Sequence, residues 1–118
     1  MLILMVEDDE DVRTTTAELM RELGHQVIEA ESAEQAMEVL RNSAIDVLVT
    51  DVGLPGASGD VFAAEARSMQ PSLRIIFATG LDRIREPGAE ENSPVLLRKP
   101  FTFESIEAAL ISVSQPAR

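Results

Sequence analysis

The sequence contains no cysteine, tryptophan or tyrosine, and its one histidine is His25. Without cysteine the chain has no disulfide, no thiolate metal site and no cysteine nucleophile. We interpret the single histidine, His25, as a surface residue. No apolar run approaches the length of a membrane span, and the apolar start Leu2–Val6 is too short for a signal peptide.

Basic residues are scarce, with 10 Lys and Arg against 21 Asp and Glu, and the formal net charge is −11. This charge repels nucleic acids and anionic membrane surfaces, so we expect no direct binding to either. The 118 residues are 45% hydrophobic, which is enough for one compact core. We therefore expect a single cytoplasmic domain over residues 1–118.

Short apolar runs alternate with amphipathic segments along the whole chain, which is typical of a parallel α/β fold with five βα units. Strands are predicted at residues 2–6, 26–29, 45–50, 73–78 and 95–97. The intervening helices carry their own signals, such as a terminating Gly24 and an N-capping Ser32. Phe62, Ala66 and Met69 mark a third helix, with Met69 expected on its core face. Thr102 is predicted to cap the last helix. Residues 82–94 contain two prolines and a glycine, so any helix there is short or irregular.

Polar residues follow four of the predicted strands, and ligands bind at the carboxyl ends of strands in open α/β sheets. These residues are Glu7, Asp8 and Asp9, then Asp51, then Thr79 and Gly80, then Lys99 and Pro100. Carboxylates gathered from two strands repel each other unless a cation joins them. Oxygen ligands without His or Cys favour Mg²⁺.

A carboxylate beside Mg²⁺ can attack phosphorus, so the pattern indicates an aspartyl phosphate at Asp51. The Lys99 ammonium and the Thr79 hydroxyl would bind phosphoryl oxygens, and Gly80 leaves the approach open. Each residue alone has a plainer explanation, since the acids after the first strand suit a helix N-terminus. Their joint position at the strand ends favours a site.

These motifs resemble the receiver domains of two-component response regulators over essentially the whole chain. The matching segments are Val6-Glu7-Asp8-Asp9, Thr50-Asp51-Val52-Gly53-Leu54-Pro55-Gly56, Ala78-Thr79-Gly80 and Arg98-Lys99-Pro100-Phe101. The resemblance implies a flavodoxin-like, doubly wound, five-stranded parallel sheet of order 2-1-3-4-5. It also implies Mg²⁺-dependent phosphoryl transfer to Asp51 from a sensor histidine kinase or a histidine phosphotransfer protein. The phosphorylated domain would then act on a downstream protein target or a fused output domain.

The resemblance implies a role for each matching residue. Glu7 and Asp8 form the acidic pair, with Asp8 favoured as the direct Mg²⁺ ligand, and Gly53 lends its backbone carbonyl to the metal. Thr79 is the switch hydroxyl. Lys99 is the phosphate-binding lysine, typically followed by a cis bond to Pro100.

Two features depart from the receiver pattern. Leu96 occupies the position that often holds a Tyr or Phe, which argues against a switch by aromatic rotation. Residues 82–94 are short and broken by proline where receivers usually have a full fourth helix, so a dimer through that helix is not expected.

Three other functions fit parts of the pattern. A phosphatase with an aspartyl nucleophile resembling the haloacid-dehalogenase type would need a second Asp where this chain has Gly53. A flavin- or nucleotide-binding module would need a phosphate loop after the first strand, where this chain is acidic. A pseudo-receiver that only binds a partner would not be phosphorylated.

Overall fold

Strands and helices alternate from residue 2 to residue 79, as the sequence predicts. The computed structural model describes residues 1–51, 59–79, 95–98 and 103–114, and the structural statements below refer to these residues. The elements are β1 (Leu2–Val6), α1 (Glu10–Glu22), β2 (Gln26–Ala30), α2 (Ala33–Asn42), β3 (Val47–Asp51), α3 (Gly59–Met69), β4 (Arg74–Thr79), β5 (Val95–Arg98) and α4 (Phe103–Ser114). The predicted irregular segment at residues 82–94 and the predicted cap Thr102 lie outside the described residues.

The five strands form one parallel sheet in the order β2-β1-β3-β4-β5. This is the predicted flavodoxin-like order. From β1 the chain crosses outward to β2 and then returns to the other side of β1 to form β3. The winding therefore reverses between β1 and β3, and in doubly wound sheets ligands bind at this switch point.

Helices cover both faces of the sheet, and β1 shows the result most clearly. Ile3 and Met5 pack into one core with buried residues of α1 and α4, whereas Leu4 and Val6 pack into a second core with α2 and α3. All four side chains are fully buried. A strand buried on both faces is apolar at every position, which explains why β1 reads as a continuous apolar run.

The third strand begins at Val47, two residues later than predicted. The amide of Ile45 donates to Oε1 of Gln70 at 2.9 Å, so at this position a side chain takes the place of a neighbouring strand. The carboxylate of Asp46 in turn accepts a hydrogen bond from the amide of Leu2 at 2.8 Å. The backbone of Asp46 already pairs with both neighbouring strands, since its amide donates to the carbonyl of Leu2 at 2.9 Å and its carbonyl accepts from the amide of Arg74 at 3.1 Å. The side-chain hydrogen bonds therefore supplement the ladder where β3 begins.

The predicted helix signals at Gly24 and Ser32 are confirmed, whereas one predicted core position of α3 is wrong. Gly24 follows the C-cap of α1 with φ of +98°, and the Ser32 hydroxyl accepts a hydrogen bond from the amide of Gln35 at 3.2 Å. Phe62 of α3 is buried as predicted. Met69, predicted on the same core face, is 38% exposed because it is the last helical residue, where the chain turns towards β4.

Candidate functional site

The carboxyl ends of four strands meet at one edge of the sheet. These strands, β1, β3, β4 and β5, end at Val6, Asp51, Thr79 and Arg98. Val6 is in register with Thr50, so Glu7 and Asp51 are the next residues along two neighbouring strands. Since adjacent strands lie about 4.8 Å apart, the two acidic residues come together at the β1/β3 switch point.

The three acidic residues after β1 have different local environments. Glu7 is 1% exposed, its amide donates to the carbonyl of Ala30 at 3.1 Å, and its Oε2 accepts from the amide of Asp9 at 3.1 Å. Asp9 is the N-cap of α1, where its Oδ1 accepts from the amide of Val12 at 3.1 Å. The helix-start explanation is therefore correct for Asp9. Asp8 lies between them with an exposed side chain at the rim.

An arginine that the sequence analysis did not identify lies behind this loop. Nη1 of Arg13 donates to the backbone carbonyl of Glu7 at 2.9 Å, and its Nε donates to Oε1 of Glu29 at 3.3 Å. Glu29 of β2 also pairs with Arg21 at 3.4 Å. A positive charge near the N-terminus of a helix interacts unfavourably with the helix dipole. An arginine so close to the start of α1 was therefore the feature of the sequence that could have pointed to a special role for Arg13.

The donor atoms available at the rim suit Mg²⁺. Within residues 1–51, 59–79, 95–98 and 103–114, no three His, Cys, Asp or Glu side chains form a group that could hold a metal ion. Of the predicted ligands, Glu7 and Asp8 are the two whose side chains are described, and both offer carboxylate oxygen. Hard oxygen donors at a switch point are the donors that Mg²⁺ prefers, so the residues fit this ion.

The other predicted site residues are only partly covered. Thr79, the last residue of β4, is in register with Arg98, the residue before Lys99. Leu96 of β5 is in register with Phe77. Gly53, Gly80, Lys99 and Pro100 lie outside the described residues, as do the side chains of Asp51, Thr79 and Leu96.

The family model of the response regulator receiver domain matches residues 3–111. This chain belongs to that family. Receiver domains work in two-component signalling, and the predicted fold class and general function are thereby confirmed. The match favours a receiver over the phosphatase and the flavin- or nucleotide-binding module considered from the sequence.

Curated and solved receivers resemble the chain over most of its length. The response regulator receiver protein CpdR of Brucella abortus (strain 2308) is 30% identical over 107 residues, which cover 88% of each chain. The receiver domain of the hybrid histidine kinase CckA has a TM-score of 0.83 and 28% identity, covering 98% of this chain and 100% of that one. The response regulator TrrA of Thermotoga maritima, solved in complex with Mg(2+)-BeF, has a TM-score of 0.83 and 25% identity, covering 95% of this chain and 97% of that one.

Several relatives are much longer than this receiver domain. The chain spans 28%, 22% and 11% of the length of three further curated proteins that it matches. These relatives are a cyclic di-GMP phosphodiesterase of Thermotoga maritima, the response regulator protein FleR of Pseudomonas aeruginosa and the sensor kinase CckA of Brucella abortus. Among the described residues of this chain, no helix has the length and apolar character needed to cross a bilayer.

Proposed function

We propose that this receiver domain accepts a phosphoryl group on Asp51 from a phosphohistidine of a sensor histidine kinase or a histidine phosphotransfer protein. The observation that carries the proposal is the register of β1 and β3, in which Glu7 and Asp51 follow paired residues at the switch point. The proposed metal ligands for Mg²⁺ are Glu7, Asp8, Asp51 and the backbone carbonyl of Gly53. The Mg(2+)-BeF complex of TrrA supports a magnesium site in this family.

In the proposed reaction a carboxylate oxygen of Asp51 attacks phosphorus. The new P–O bond forms as the P–N bond of the phosphohistidine breaks, and the departing imidazole nitrogen takes up a proton. Mg²⁺, when bound, neutralises charge on the phosphoryl oxygens and on the carboxylates. The Lys99 ammonium and the Thr79 hydroxyl would stabilise the remaining oxygens, and Gly80 would leave room for them.

Phosphorylation would then change which protein surface the domain presents. Thr79 is the proposed switch hydroxyl, and Pro100 is proposed to follow Lys99 through a cis peptide bond. Because Leu96 replaces the aromatic residue of many receivers, the signal would travel by movement of loops or helices. The phosphorylated domain would act on a downstream protein target or on a fused output domain. We expect a single cytoplasmic domain over residues 1–118 that is a phosphoacceptor and not a metabolic enzyme.

Intact mass spectrometry tests the proposal. The native chain, Asp51→Asn and Asp46→Asn are incubated with a small-molecule phosphodonor, with and without Mg²⁺. The native chain should gain one phosphoryl group only with Mg²⁺, and Asp51→Asn should gain none. Asp46 lies at the opposite edge of the sheet, where an Asn oxygen can still accept the Leu2 amide, so Asp46→Asn should behave like the native chain.

A folded native chain that takes up no phosphoryl group would make the domain a pseudo-receiver that acts by binding alone. Phosphorylation of Asp51→Asn at the native level would place the acceptor elsewhere. Equal labelling without Mg²⁺ would contradict the metal requirement.

A further inference from the structure

The side chain of Arg13 is partly buried beside the acidic loop. Its side chain is 14% exposed, low for an arginine, which usually keeps its charged end in water. A cation in this environment needs hydrogen-bond acceptors to offset the loss of water. Arg13 finds two of them on different elements, the backbone carbonyl of Glu7 and the carboxylate of Glu29.

The hydrogen bond from Arg13 to the Glu7 carbonyl affects Asp8, because this carbonyl belongs to the peptide unit that joins Glu7 to Asp8. That unit is planar, so fixing its oxygen also fixes the amide nitrogen of Asp8. Glu7 is further held through its own amide, which donates to Ala30, and through its side chain, which accepts from Asp9. The backbone leading to Asp8 is therefore fixed from three directions, and the side chain of Asp8 is exposed.

Glu29 anchors Arg13 to the edge strand β2. The same carboxylate pairs with Arg21, one oxygen to each arginine, at 3.3 Å for Arg13 and 3.4 Å for Arg21. Arg21 also donates to the carbonyl of Val27 at 2.8 Å. Both arginines thus join α1 to β2, but the hydrogen bond to the Glu7 carbonyl belongs to Arg13.

From these contacts we infer that Arg13 is a positioning residue for the metal-binding loop, linking the Glu7–Asp8 peptide unit to Glu29 so that Asp8 is held in place for Mg²⁺. The inference rests on the proposed function, in which Asp8 is a metal ligand. Groups that hold metal ligands in place commonly change metal affinity by about tenfold or more when they are removed.

A simple charge effect would act in the opposite direction. A guanidinium near a dication repels it, so removing the positive charge of Arg13 should by itself tighten Mg²⁺ binding. Loss of positioning should weaken binding, because the loop must then be ordered when the metal binds. The sign of the change therefore separates the two explanations.

The experiment measures the Mg²⁺ dissociation constant on the full chain by following amide resonances of residues 7–9 in two-dimensional NMR. Intrinsic fluorescence is unsuitable because the chain has no Trp or Tyr. The variants are Arg13→Met, Arg13→Lys, Arg21→Met and Asp8→Asn. Arg21→Met is the matched control, since it removes a cation from the same helix and the same carboxylate but leaves the Glu7 carbonyl bonded to Arg13.

We expect Arg13→Met to weaken Mg²⁺ binding by about tenfold. Arg13→Lys should fall between Arg13→Met and the native chain, because an ammonium keeps the charge but cannot span both acceptors in the fork geometry of arginine. Arg21→Met should stay within about twofold of the native value. If Arg13→Met does not fold, the same comparison is made between Arg13→Lys and the native chain.

Unchanged or tighter Mg²⁺ binding in Arg13→Met, or in Arg13→Lys where only that variant folds, would overturn the inference. Equal weakening in Arg21→Met would also overturn it, by showing a general loss of stability. A native chain that binds no Mg²⁺, or that binds it as well after Asp8→Asn, would instead contradict the proposed metal site itself.

Discussion

Replacing Gln70 with Met should destabilise this receiver domain without altering its metal site. The side chain of Gln70 joins three backbone groups near the amino ends of the strands. Its Oε1 accepts from the amide of Ile45 at 2.9 Å, and its Nε2 donates to the carbonyls of Leu40 and Ser43, each at 2.8 Å. Methionine has a similar length and volume, so the substitution removes the hydrogen bonds and keeps most of the packing.

The magnitude follows from these three contacts. A hydrogen bond within a protein contributes about 1 kcal/mol net, so their sum is about 3 kcal/mol. Gln70 is only half-buried, and water can replace part of what the two carbonyls lose. We therefore expect the free energy of unfolding to fall by about 2 kcal/mol, mostly through the amide of the buried Ile45.

Urea unfolding followed by far-ultraviolet circular dichroism measures this change. The midpoint should fall with no change in slope, because the surface exposed on unfolding is similar. Gln26→Met is a matched control at an exposed position of β2 and should change stability by no more than about 0.5 kcal/mol. The Mg²⁺ dissociation constant of Gln70→Met should equal the native value. A loss of stability no larger than that of Gln26→Met would refute the reasoning.

Two further predictions concern the turn between α1 and β2. Gly24→Ala should lower the free energy of unfolding by about 1–2 kcal/mol, because a residue with a Cβ is strained at the φ of +98° found there. An added Cβ meets nothing within 4 Å, so no steric clash contributes to the loss. Unchanged urea unfolding would contradict this prediction. Burial lowers the pKa of His25 below its ordinary value of 6.5. The ammonium of Met1, which donates to Nδ1 of His25 at 3.3 Å, lowers this pKa further. The neutral form is favoured in the folded state, so the stabilisation is complete above pH 6.5 and is lost as the pH falls through the lowered pKa. His25→Gln should flatten this pH dependence, and a native-minus-variant difference that is constant from neutral to acidic pH would contradict it.

The elements that could be predicted are those whose signals are local. Leu2–Val6 is apolar at every position and is followed by acidic residues. The sequence therefore predicts a strand that is buried on both faces and has polar residues at its carboxyl end. The start of β3 was not predicted, because it depends on Gln70 bonding the Ile45 amide across 25 residues of chain. The exposure of Met69 was also missed, since helical periodicity does not say where a helix turns away from the sheet.

The candidate site likewise has features that the sequence predicts and features that only the structure shows. That Glu7 and Asp8 would lie near Asp51 was predicted because polar residues at the carboxyl ends of parallel strands share one edge of the sheet. The structure confirms the strand order that makes β1 and β3 neighbours. The separate roles within the acidic run, with Glu7 buried and Asp9 at the N-cap, require the path of the chain after β1. The link from Arg13 to Glu29 requires α1 to pass over β2, and no spacing in the sequence predicts that contact.

The most direct test of the account is to map the phosphorylated residue. The chain is phosphorylated in the presence of Mg²⁺, the acyl phosphate is reduced with borohydride, and peptides are sequenced by mass spectrometry. Reduction converts an aspartyl phosphate to homoserine, so the account predicts homoserine at position 51 and at no other acidic position. Homoserine at Asp8 or Asp9, or none in a chain whose mass shows a stable phosphoryl group, would contradict it.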